Sequence, residues 1–95
     1  MGLTYRVHPQ ITLEEVAGRY FLISFGEAGR LPYLREINET GAFYWELAAA
    51  GHDLDSMLAI ASDLYQEPRT KLEKGLLAFF DNLMDQGYVS LDETQ

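Results

Sequence analysis

The chain of 95 residues contains no cysteine. That absence removes disulfide bridges, thiolate catalysis and a cysteine-ligated iron–sulfur cluster. Basic residues are also scarce, seven against fifteen acidic ones, and the formal net charge is −8. A field of that sign repels phosphate backbones and anionic lipid, so neither nucleic acid nor a membrane surface is an expected partner. No apolar run approaches the roughly 20 residues of a membrane span. Residues 1–6 carry no apolar run of the signal-peptide kind, so a soluble cytoplasmic protein is expected. Histidine is limited to His8 and His52, and neither has a neighbouring nucleophile or a carboxylate at ligand spacing. No glycine-rich loop has phosphate-binding spacing. The expectation is a protein that is not an enzyme and needs no metal or cofactor.

What is present is an apolar chain of ordinary complexity, 47% hydrophobic and 13% aromatic, read here as one domain over residues 1–95. Ile11-Thr12-Leu13-Glu14 alternates in the manner of a half-buried strand. Ala17-Gly18 supplies a tight turn, and Arg19 to Phe25 reads as a second strand with apolar side chains on both faces. Gly26 to Pro32 is punctuated as a loop, and Tyr33 to Ile37 as a short third strand. Asn38 then stands as N-cap of a helix reaching about Ala50, with Gly51 as its stop. Asp53 caps a second helix, Leu54 to about Tyr65. Pro68 suits the first turn of a third, which runs to about Gln86 and stops at Gly87. Tyr88 to Leu91 reads as a short last strand, and Asp92 to Gln95 as a frayed end. The predicted class is α+β: a three-stranded antiparallel sheet followed by three helices, related to winged helix-turn-helix architecture.

The carboxylate pairs Glu14/Glu15 and Asp53/Asp55 fit a solvated strand and a helix cap better than acid–base chemistry. The third helix offers the surface most suited to binding. Leu72, Leu76, Phe79 and Leu83 form one apolar stripe, and Leu77, Phe80 and Met84 a second beside it. Together they span roughly 160°, wider than a single core-facing stripe of about 100°. The second stripe is either buried under the sheet or the wall of a groove beside the third strand. Arg69, Lys71 and Lys74 early in the same helix, with Arg30 and Arg35 near the third strand, are either scattered solvation or a local positive rim.

The stretch Ile37-Asn38-Glu39-Thr40-Gly41-Ala42-Phe43-Tyr44-Trp45-Glu46-Leu47, then Gly51, the helix Leu54–Tyr65, Pro68 and Phe79…Leu83…Gly87-Tyr88-Val89, resembles the PqqD family. Upstream, Glu15 to Ile23 is similar to that family's first hairpin. The resemblance implies a peptide chaperone of pyrroloquinoline quinone (PQQ) biosynthesis or a related modified-peptide pathway. Such a protein binds the leader of a ribosomally made precursor peptide and presents it to a radical S-adenosylmethionine (radical SAM) maturase. The leader adds as a strand. Carried onto this chain, the resemblance points to Tyr33, Leu34, Arg35, Glu36 and Ile37 for backbone pairing, and to Leu72, Leu76, Leu77, Phe80 and Met84 for an apolar wall. Two alternatives stand beside it. One is a homodimer or larger scaffold paired through the same strand edge. The other is a winged-helix nucleic-acid binder, although the helix Leu54–Tyr65 contains no Lys or Arg.

Overall fold

The computed structural model describes residues 2–24 and 33–94. The elements run β1 (Gly2–Val7), β2 (Ile11–Val16), β3 (Arg19–Ser24), β4 (Tyr33–Ile37), α1 (Glu39–Ala49), α2 (Leu54–Tyr65), α3 (Arg69–Asp85) and β5 (Val89–Thr94). The class is α+β with three helices, and both sheets are antiparallel. The expected loop Gly26–Pro32 lies outside the described residues.

Two sheets are present where one was expected. The predicted hairpin and third strand form a sheet ordered β2-β3-β4, and β1 pairs with β5 in a separate two-stranded ribbon. The overlooked strand β1 has a period of two: Leu3, Tyr5 and Val7 alternate with Thr4 and Arg6. Its partner β5 is longer than Tyr88–Leu91. The residues expected to fray are held instead, with Asp92, Glu93 and Thr94 opposite Thr4, Leu3 and Gly2. An ion pair of 2.6 Å between Arg6 and Asp92 ties the ribbon's surface.

Local rules explain the junctions. Val16 faces Arg19 across a two-residue turn in which Ala17 (φ 54°) and Gly18 (φ 79°) are both left-handed, the geometry that matches strand twist. Asn38 caps α1 by accepting from the Gly41 amide at 2.7 Å, and Asp53 caps α2 through the Ser56 amide at 2.8 Å. Pro68 stands one residue earlier than expected. It is extended (φ −67°, ψ 147°) and its carbonyl accepts from Lys71 and Leu72, so it is the N-cap rather than a member of the first turn.

Helix α1 joins the two layers: it packs against β1 of the ribbon and against β2 and β3 of the sheet. Ala42, Tyr44, Trp45 and Ala48 are therefore buried around much of its circumference. The deepest part of the core lies where the ribbon meets the helices. Met57, Ala61, Leu76, Phe80 and Leu83 have no exposed surface there, and Tyr5 is stacked on Phe80. Each large side chain buried this way contributes about 1.5–3 kcal/mol, which lets so short a chain hold a fold.

Candidate functional site: the cleft between β4 and α3

Strand β4 pairs with β3 on one side, from Ser24↔Tyr33 to Tyr20↔Ile37. Among the described residues no strand pairs with its other side. It is held through both of its faces. On the outer face Glu36 receives two bonds from Arg19, at 2.7 and 2.5 Å, and this hydrogen bonding holds its carboxyl below the usual glutamate range. On the inner face Arg35 reaches α3. It donates to Gln86 at 2.6 Å and to Asn82, and its guanidinium lies 6.0 Å from the centre of the Tyr88 ring. Ile37, next on the inner face, is buried in the core.

Beyond the end of β4, the first turn of α1 touches the middle of α3. A Cβ added at Gly41 would lie 2.8 Å from Phe79 Cε1, so the glycine permits this approach. Beside the contact is a pocket of about 330 Å³ lined by Asn38, Thr40, Tyr44, Lys71, Leu72, Gly75 and Phe79, with Gly41 at its rim. Leu72, Gly75, Phe79, Asn82 and Gln86 recur at three- and four-residue spacing, so one continuous face of α3 runs past the pocket to the Arg35 contact. Gly75 needs no close helix neighbour to explain it, because nothing lies within 4 Å of where its Cβ would be. It deepens the pocket.

The predicted site residues divide accordingly. Residues 33–37 do form an edge strand. Leu34 is 65% exposed and points to the outer face, opposite to Arg35. Leu72 lines the pocket. Leu76 and Phe80, expected on the groove wall, are completely buried: α2, β5 and α1 pack on the helix, and Tyr5 of β1 stacks on Phe80. Leu77 and Met84 are half-buried and lie about 160° around the helix from Gly75 and Gln86. Asn82 and Gln86 carry the contact with β4, and Gly75 and Phe79 line the pocket against α1. Phe79 is expected in the core stripe. Its ring is half-buried, between Tyr44 at 6.3 Å and Phe80 at 5.1 Å. The signal for this phase lay in the alternation of Leu3, Tyr5 and Val7.

The expected positive rim is only partly paired: Arg35 is bonded to the uncharged side chains of Asn82 and Gln86, and Arg30 lies outside the described residues. Arg69 pairs with Asp55 and Lys71 with Glu67, each at 3.0 Å, while Lys74 has no ion pair among the described residues. His8 accepts from the Gln10 amide in an exposed turn.

No curated protein and no solved structure matches the chain. A family model does match, over residues 33–89, which span β4, all three helices and the first residue of β5. That segment is more than half of the chain and contains both β4 and α3: the chain belongs to the family described as coenzyme PQQ synthesis protein D, PqqD.

Proposed function

We propose that this protein is a non-catalytic peptide-binding accessory of the PQQ type, and that the leader of a precursor peptide adds to β4 as a fourth strand. The observation that carries the reading is the edge of β4, unpaired among the described residues yet fixed from both faces by Arg19–Glu36 and by Arg35 on α3. An exposed strand edge is normally a hazard that a protein blunts. Here it faces a helix wall with a pocket at its end, which suits strand addition: main-chain bonds supply affinity and alternate side chains supply register. One side of the added strand meets Arg35 and the Gly75–Phe79–Asn82–Gln86 face of α3. The other continues the outer face beside Leu34. The bound leader is then presented to a maturase of the radical SAM class, which performs the chemistry.

A titration of the isotopically labelled protein with a synthetic leader, taken from a short peptide gene beside this one, tests the reading. Amide shifts are expected in residues 33–37 and along Leu72–Gln86. Unchanged signals there at saturating peptide overturn it. The exposed Leu34 on the same edge also favours self-pairing. In that case light scattering shows a dimer that the leader dissociates.

A further inference from the structure

A second pocket lies on the far side of α1, about 160° around that helix from the cleft. It encloses about 390 Å³ and is lined by Tyr20 of β3, by Glu39, Ala42, Phe43 and Glu46 of α1, and by Leu64 and Tyr65 at the end of α2. Three features of it are unusual for an acidic surface. Its walls are aromatic, with the Phe43 and Tyr65 rings meeting edge to face at 5.9 Å. Leu64, 57% exposed, extends the apolar wall to the surface. Its charge has one sign: Glu39 and Glu46 stand two turns apart on α1, and Glu15 lies across the strand pair from Tyr20.

None of these three carboxylates has an ion pair among the described residues, although most of the described cations are bonded elsewhere. Their combined field is felt at the Tyr20 hydroxyl, which is pushed up first by Glu15, then by burial, then by Glu39 and Glu46. The C-terminal end of α2 adds partial negative charge beside the pocket, and no basic residue in its last turn offsets it.

We propose that this pocket receives an arginine side chain presented by a protein partner. A guanidinium matches both halves of the lining. Its planar face stacks on Tyr20, Phe43 or Tyr65, and its forked N–H donors reach Glu39 and Glu46. The ammonium of lysine is more strongly hydrated and has no planar face to stack. Because the pocket and the β4–α3 cleft open on opposite sides of α1, a partner held here leaves the cleft free. The proposal does not depend on what occupies the cleft.

The test is a titration of the full chain with N-acetyl-arginine amide, followed by NMR. Saturable shifts are expected at Tyr20, Phe43, Glu46, Leu64 and Tyr65, with Arg35 and Gly75–Gln86 unmoved. The neutral isostere N-acetyl-citrulline amide binds at least tenfold more weakly, and N-acetyl-lysine amide also more weakly. The exposed double variant Glu39→Gln/Glu46→Gln weakens the arginine probe by about tenfold, the scale of two part-exposed ion pairs. Shifts that never saturate, equal binding of citrulline or lysine, or an unaffected double variant each overturn the proposal. The citrulline comparison uses the native chain and holds whether or not the variant folds.

Discussion

The rings of Tyr5 and Phe80 lie 4.2 Å apart, centre to centre, and within 7° of parallel. This stack joins the first strand of the chain to the middle of its last helix. It also sets the rotation of α3, since the side of the helix that receives Tyr5 cannot also face the cleft. Phe80 and Leu76 turn inward, and Gly75 and Phe79 are left lining the pocket beside α1.

Removing either ring will act on stability. Phe80→Ala is expected to cost about 3–5 kcal/mol through lost burial and the cavity left behind. Tyr5→Phe, which keeps the stack, should cost far less than Tyr5→Ala. A double-mutant cycle in urea should return a coupling of about 1 kcal/mol between the two rings. Additive single effects would show that the stacking contributes nothing beyond area.

The ribbon makes the chain end structural. A stop after Tyr88 removes β5, leaves β1 without its ladder and exposes the ring of Tyr5. Loss of the cooperative urea transition is the expected result. A frayed end of the kind the sequence suggested would leave the midpoint unchanged.

Gly75 separates folding from binding. It is helical, exposed and free of neighbours, so Gly75→Ala should stabilise the fold by about 1 kcal/mol through helix propensity. Gly75→Leu should keep most of that gain while filling the pocket beside it. If the leader occupies the cleft, Gly75→Leu lowers its affinity by tenfold or more in calorimetry. Unchanged affinity would place the leader elsewhere.

Acid should weaken the fold by a route two residues share. The Ser56 amide, and secondarily its side chain, holds the Asp53 carboxyl below the ordinary aspartate range, and Arg19 does the same for Glu36. A depressed carboxylate pKa contributes stability that is present above the unfolded value and lost as pH falls through the folded one. Urea midpoints should therefore drop between about pH 5 and pH 3. Asp53→Asn/Glu36→Gln should show a smaller drop across the same window. Both groups are at the surface, so the difference is modest and shrinks with salt for Glu36.

Much of this architecture is legible in the sequence. The turn at Ala17-Gly18, the caps Asn38 and Asp53 and the stop at Gly87 are set by neighbours within a few residues. Those neighbours decide which backbone groups need partners. The strand at residues 33–37 followed from the same punctuation. Family kinship was carried by the spacing of these signals over residues 33–89.

Which face of α3 turns inward was decided elsewhere. The helix has apolar residues around roughly 160° of its surface, and periodicity alone does not choose among them. The choice was made by the elements that cover the helix: α2, β5 and α1 pack on it, and β1, some seventy residues away in sequence, lays Tyr5 against Phe80. Local chemistry determined where the three helices and the Ala17-Gly18 turn lie. The long-range pairing of the two chain ends determined which side chains remain for the cleft, because a buried face is set by what covers it.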